Sequence, residues 1–157
     1  NKLQTLSTID SLTGVKNRNV MNNRIDQIVA GRKPTPKAVI FADLNGLKYT
    51  NDEQGHLSGD KVLRSAAEIL QYVFPKEDVY RAGGDEFMVL ASDITEDELN
   101  TRIAKIRTMA KLSENVYFSI GICCGEPDVR RAMHVADERM YVDKKSFYIE
   151  HPELKYR

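Results

Sequence analysis

Apolar positions recur along this chain with two different periods, and the switches between them outline its elements. Met21, Ile25, Ile28 and Val29 follow the i, i+4, i+7, i+8 spacing of a helix face, which Gly31 closes and Pro34 and Pro36 follow. Ala38-Val39-Ile40-Phe41-Ala42 is short, apolar and rich in β-branched and aromatic residues, which predicts a buried strand closing on Asp43. After a polar stretch, Val62, Ala66, Ile69, Leu70 and Val73 form a second helical stripe. Ser58 is its expected cap, with Asp60 in the first turn, where the helix dipole favours an anion. Val79-Tyr80-Arg81 and Phe87-Met88-Val89-Leu90 read as two strands, and the Gly83-Gly84 pair between them is a hairpin signal, since tight turns favour positive φ. Thr95-Glu96-Asp97-Glu98 has capping-box spacing and opens a helix with Leu99, Ile103, Ile106 and Ala110 on one face. Val116 to Cys124 reads as a last strand, and Val129, Met133, Ala136 and Met140 mark a last helix.

The middle of the chain is therefore β-α-β-β-α-β, with one helix before it and one after. That order predicts an α+β fold with a ferredoxin-like βαββαβ core, of the kind shared by palm-type polymerases and nucleotidyl cyclases, with flanking helices at both ends. In such a sheet the first two strands run parallel and the third lies between them. Asp43, at the end of the first strand, is then expected beside the Gly83-Gly84-Asp85-Glu86 turn, and topology alone gathers three carboxylates at one sheet edge.

Composition narrows the chemistry. Lys+Arg and Asp+Glu both number 23, so no global basic field points to a duplex nucleic-acid binder, and no nucleic acid is expected as partner. No apolar run approaches the roughly 20 residues of a membrane span. Cys123 and Cys124 are adjacent and form no disulfide framework, which suits a reducing cytoplasm. The chain opens Asn1-Lys2-Leu3 and reads as a piece of a longer protein, any membrane anchor of which belongs to other parts. Residues 1–8 are expected to be the end of a linker helix from an upstream module, and 9–157 the domain itself.

Taken singly, Asp43 reads as a cap, and Asp85 and Glu86 as solvated hairpin residues. Jointly they repel unless a cation sits among them. An oxygen-only donor set beside glycines suits Mg²⁺ or Mn²⁺, ions that usually share their coordination with substrate phosphates. The residues alone thus point to metal-assisted phosphoryl or nucleotidyl transfer.

At this point a resemblance becomes specific. Arg81-Ala82-Gly83-Gly84-Asp85-Glu86-Phe87 contains the signature of the GGDEF domain family, the diguanylate cyclases. Asp10-Ser11-Leu12-Thr13-Gly14-Val15-Lys16-Asn17-Arg18 resembles the family's entry motif. The block from Phe41 to Lys48, with Asn51-Asp52, Gly55-His56 and Gly59-Asp60, resembles its longest motif, and Ala136-Asp137, Met140-Tyr141 and Lys144 resemble its final helix. The resemblance implies condensation of two GTP molecules into cyclic di-GMP and two pyrophosphates, by attack of a 3′-hydroxyl on an α-phosphate. It implies metal binding by Asp43, the Leu44 carbonyl, Asp85 and Glu86, with Asp85 and Glu86 catalytic and two ions in each half-site. It further implies guanine recognition by Asn51 and Asp60, phosphate contacts from Lys48 and Lys144, and close triphosphate approach at Gly83 and Gly84. A half-site holds one GTP, so a homodimer, which need only be transient, is implied, governed by an upstream sensor domain.

Two departures stand out. The final helix lacks the family's Gly-Arg-Asn ending: Phe147-Tyr148 occupies that stretch, so a phosphate-contacting arginine is replaced by Tyr148. Phe74 and Glu77 stand where many relatives carry an R-x-x-D product-inhibition pair, so no feedback through that site is expected. Phe74 and Pro75 read instead as a helix ending. Arg18 and Asn17 read as structural, and Tyr117, Phe118, Cys123 and Cys124 as core. His56 is assigned no chemistry. The alternative reading is a weak or inactive GTP-binding module that regulates a partner.

Overall fold

The computed structural model describes residues 8–155. The expected linker helix at 1–8 lies outside the described residues except for Thr8, which is in a turn. The elements are α1 (Arg18–Val29), β1 (Ala38–Leu44), α2 (Leu47–Gln54), α3 (His56–Val73), β2 (Val79–Arg81), β3 (Glu86–Ala91), α4 (Glu96–Lys111), β4 (Phe118–Cys124) and α5 (Val129–Glu150). Short 3₁₀ turns fill Lys76–Asp78 and Pro152–Leu154. The strands lie in the order β2-β3-β1-β4, and every neighbouring pair is antiparallel. β1 and β2 therefore run parallel with β3 between them, as the element order predicts.

Along β1 the pleat sorts side chains between two cores. Ala38, Ile40, Ala42 and Leu44 join one apolar cluster with Val62, Ala66 and Leu70 of α3 and Leu99 and Ile106 of α4. Val39 and Phe41 face the other cluster, built with Met21 and Ile25 of α1 and Val129, Ala132 and Ala136 of α5. Burial on both faces is why the strands read as continuous apolar runs rather than as alternating ones. By the same parity Asp43 belongs to the α5 face.

Local chemistry explains the helix boundaries. Asn17 caps α1, its side chain accepting from the Val20 N–H at 3.1 Å. The Thr95 hydroxyl accepts from the Glu98 N–H at 3.1 Å and donates to the Glu98 carboxylate at 3.0 Å, fixing the start of α4. The polar stretch after β1 proves to be helical. Gly46, at φ 70°, turns the chain out of the strand, and Gly55, at φ 88°, separates α2 from α3. Of α2 only Thr50 is buried, so no apolar stripe announces it. Gly55 also takes the cap position of α3. Ser58 thus sits inside the helix, donating to the Gln54 carbonyl at 3.1 Å, and Asp60 lies beyond the first turn. Phe74 ends α3 in extended conformation, its N–H bonded to the Leu70 carbonyl. Val29, Tyr117 and Cys124, expected in the core, are exposed at element ends, whereas Phe118 and Cys123 are buried.

α5 lies against the sheet at Gly121 of β4. A Cβ there would run into the Ala136 carbonyl and the Met140 amide, which are backbone atoms with nowhere to move. Gly121→Ala is accordingly expected to destabilise the fold by about 3 kcal/mol or more. Denaturant titration against the parent checks this, and a shift under about 1 kcal/mol would show that α5 can lift away from the sheet.

Candidate active site

The α5 face of the sheet edge carries the predicted carboxylates. Asp43 pairs across the ladder with Glu86, and the following residue, Leu44, donates its N–H to the Asp85 carbonyl at 2.9 Å. Forty-two positions of sequence are thus closed by one rung of sheet. Asp43 is only 4% exposed. Its Oδ2 accepts from Lys144 Nζ at 2.8 Å, while its Oδ1 is buried without a hydrogen-bond partner. Burial pushes the Asp43 carboxyl up to about 7; the bond from Lys144 opposes that rise and the charge of Asp85 adds to it. Burial works against the Lys144 ammonium too, but its bond to Asp43 and the charges of Asp43 and Asp85 prevail and raise it. Met140, which lies over Gly121, is one helical turn before Lys144, so the close approach of α5 is what brings the ammonium to Asp43.

The hairpin is held from outside. Arg81 Nε donates to the Gly83 carbonyl at 3.2 Å and Nη2 to the Gly84 carbonyl at 2.7 Å. Its Nη1 reaches both oxygens of Asp10, at 3.2 and 3.1 Å. Asp10 also accepts from the Thr13 N–H at 3.0 Å and the Thr13 hydroxyl at 2.6 Å. Partial burial would raise Asp10, but the Thr13 bonds and Arg81 outweigh it and hold the carboxyl below its ordinary 3.8. The sequence reading assigned Arg81 no task. Its position two residues before the glycine pair was the available signal. The two glycines, expected at positive φ, do not adopt it. At Gly83 the need is space: a Cβ would stand 3.1 Å from Glu86 Oε2, whereas Gly84 faces open room.

The guanine-reading pair predicted at Asn51 and Asp60 lies at the α2–α3 corner. The Asn51 amide packs directly on Gly59, where any Cβ would overlap it, and its Oδ1 is buried without a partner. Asp60, the next residue along α3, is half-exposed. Lys48 is exposed on the first turn of α2. Asn45 is buried and exchanges hydrogen bonds with Ser119, at 2.7 and 2.9 Å. An asparagine suits that place because it both donates and accepts.

Among the described residues, no three acidic, His or Cys side chains converge as a ligand cluster. Asp43 Oδ1 nevertheless fits a cation, being a buried carboxylate oxygen without a donor. A cavity of about 500 Å³, lined by Tyr141, Lys144, Lys145, Tyr148, Ile149 and Lys155, opens beside Lys144. A larger one, about 630 Å³, lies by Glu77, Asp78, Arg24 and Ser92, away from the carboxylates. Its Arg24 is spent on Asp78, Tyr80 and Ser92, at 2.8–2.9 Å. The carboxylate edge is the candidate site, because the buried Asp43–Lys144 pair and an unpartnered carboxylate oxygen lie there.

Residues 7–147 match the family model described as diguanylate cyclase, GGDEF domain. The chain belongs to the GGDEF family. Its similar relatives include diguanylate cyclase DosC of Escherichia coli K12, 30% identical over 151 residues, 87% of this chain and 33% of that protein. They also include the cyclic di-GMP phosphodiesterase PdeR of the same organism, 32% identical over 171 residues, 99% of this chain and 26% of that protein. The chain thus spans between a quarter and a third of these relatives. Among solved structures, the GGDEF domain of TpbB (YfiN) from Pseudomonas aeruginosa is 30% identical with a TM-score of 0.73, covering 88% of this chain and 89% of that one.

The Arg81 brace makes a prediction with a pH signature. Arg81→Ala is expected to cost about 2 kcal/mol at neutral pH, since it removes charge-assisted bonds to Asp10 and two carbonyls. Because the folded-state pKa of Asp10 is lowered, its stabilisation is present above the unfolded value of about 4 and is lost as pH falls through the folded value. The variant should therefore lose less stability than the parent between pH 6 and pH 3, roughly the window of that titration. Unfolding midpoints at the two pH values check it, and equal acid losses would remove Arg81 from the account.

Proposed function

We propose that this GGDEF domain is a diguanylate cyclase that joins two GTP molecules into cyclic di-GMP with release of two pyrophosphates. The observation that carries the reading is the buried Asp43 carboxylate, laddered to Glu86, beside Asp85, with one oxygen lacking any donor. Asp43, the Leu44 carbonyl, Asp85 and Glu86 would hold Mg²⁺ or Mn²⁺, two ions per half-site. Such ions supply charge stabilisation at the α-phosphate and acidify the attacking 3′-hydroxyl. Asp85 and Glu86 are the catalytic acids, set on a turn whose carbonyls Arg81 fixes.

Asn51 and Asp60 select guanine. A carboxylate accepts both the N1–H and the exocyclic N–H of that base, and adenine offers neither donor in that place. The unpartnered Asn51 Oδ1 fits the same task. Lys48 and Lys144 contact phosphates, Lys144 exchanging its bond to Asp43 for them, and Gly83 and Gly84 admit the triphosphate to the backbone. Two such half-sites must face each other, so the active species is a homodimer. An upstream sensor in a longer protein would control how often it forms. Phe74, buried at the end of α3, and Glu77 supply no arginine clamp for product, and feedback at that position is absent.

A second reading has its own support. Lys144 already neutralises Asp43, and no ligand cluster converges among the described residues, as in a nucleotide-binding module that regulates a partner without turnover.

Incubation of concentrated protein with GTP and Mg²⁺ or Mn²⁺, followed by chromatography, separates the two. Cyclic di-GMP is expected from the parent and should fall at least a hundredfold, roughly, in Asp85→Ala or Glu86→Ala, and on chelation of the ion. Turnover should also stay linear as product accumulates. No product from a dimer enforced by an added coiled coil would leave the regulatory module, and product-dependent slowing would restore feedback.

A further inference from the structure

The departure at the end of α5 sits beside the carboxylate edge. The Tyr148 hydroxyl accepts the Gly46 N–H at 2.9 Å. Gly46 is buried, at φ 70°, and is the residue from which α2 starts, with no side chain of its own to cap the helix. The amides at such a point face the positive end of the helix dipole, where anions bind. Three residues earlier, at the end of β1, Asp43 Oδ1 is buried without a partner, an independent sign that this sheet edge is built for a ligand not made of protein.

The covering segment is anchored around its own aromatic group. Phe147 stacks on His151 with centroids 4.5 Å apart and meets Tyr148 edge-on at 5.2 Å. Tyr117, whose carbonyl takes the Asn45 N–H at 2.7 Å, lies 5.4 Å from Phe147. Beyond the helix, Leu154 packs over Gly46, 3.7 Å from where a Cβ would be. Lys144 stands four residues before Tyr148 on the same face and holds Asp43. Both interior substitutes for a bound polyphosphate and its cation, a hydroxyl on the amide and an ammonium on the carboxylate, thus come from one strip of α5.

We propose that Tyr148 is an internal competitor for the phosphates of the nucleotide: its hydroxyl holds the Gly46 N–H until a phosphate oxygen replaces it. This deepens the cyclase reading and rests on it. Tyr148 is a positioning residue that tunes nucleotide affinity through the Gly46 amide. The ring is held by Phe147 independently of its hydroxyl, so Tyr148→Phe empties the amide while leaving the ring in place. Losing the bond leaves a buried N–H without an acceptor in the free protein, and a bound phosphate recovers it.

The test is calorimetric titration of the parent and Tyr148→Phe with a non-cleavable α,β-methylene GTP in Mg²⁺, and with guanosine. Tyr148→Phe is expected to bind the triphosphate analogue about three- to tenfold more tightly, to bind guanosine as the parent does, and to melt at a lower temperature when free. Unchanged or weaker binding of the analogue by the variant overturns the proposal, as does an equal gain for guanosine. If neither protein binds the analogue, the cyclase reading fails and this inference fails with it, which separates the two. Should Tyr148→Phe not fold, Leu154→Ala thins the same cover, and a smaller gain for the analogue alone is expected; its absence overturns the proposal.

Discussion

The contact between α5 and Gly121 governs how the rest of the site is arranged. Helices usually stand off a sheet by the depth of their side chains. Here the missing side chain at Gly121 lets the helix backbone settle onto β4 at Ala136 and Met140. The next turn then delivers Lys144 to Asp43, and the turn after that delivers Tyr148 to Gly46. One absent methyl group on the sheet thus sets the height of two polar groups above the carboxylate edge. A carboxylate as deeply buried as Asp43 needs such a partner, because an unpaired charge there would cost several kcal/mol, roughly, or take up a proton.

The carboxylate edge is assembled by three separate means. Sheet register brings Asp43 opposite Glu86, which is backbone geometry and owes nothing to either side chain. Arg81 fixes the turn that carries Asp85 by gripping its carbonyls. α5 supplies the positive charge. Each rests on different residues.

Much of this was legible in the residues. The order of elements was enough to place Asp43 beside the hairpin, because a split βαβ sheet allows few other arrangements. The cap at Thr95 and the helix ending at Phe74 were readable from local chemistry. α2 was not, since a short helix with one buried threonine leaves no periodic apolar signal. Ser58 was misread because Gly55 already takes the cap position, and a spacing rule does not see the positive-φ glycine before it. Arg81 escaped because its partner Asp10 is 71 residues away and no pattern links them. Lys144 was carried by resemblance alone, although the single glycine in the last strand was a sign that something lay close above it. Tyr117 and Cys124 were placed in the core because strand ends look like strand middles in a one-dimensional pattern.

The short bridge between Lys16 and Tyr80 has a mechanical meaning. The Arg81 N–H donates to the Lys16 carbonyl at 3.0 Å, so the chain entering the domain is stitched alongside the outermost strand. Through Asp10 and Arg81 the same entering segment is tied to the carbonyls of Gly83 and Gly84. A tug or twist on the chain ahead of α1 is therefore passed both to the hairpin and, through the buried Val15, to the apolar core beneath α3 and α4. The entry segment works as a tendon inserted on the carboxylate edge.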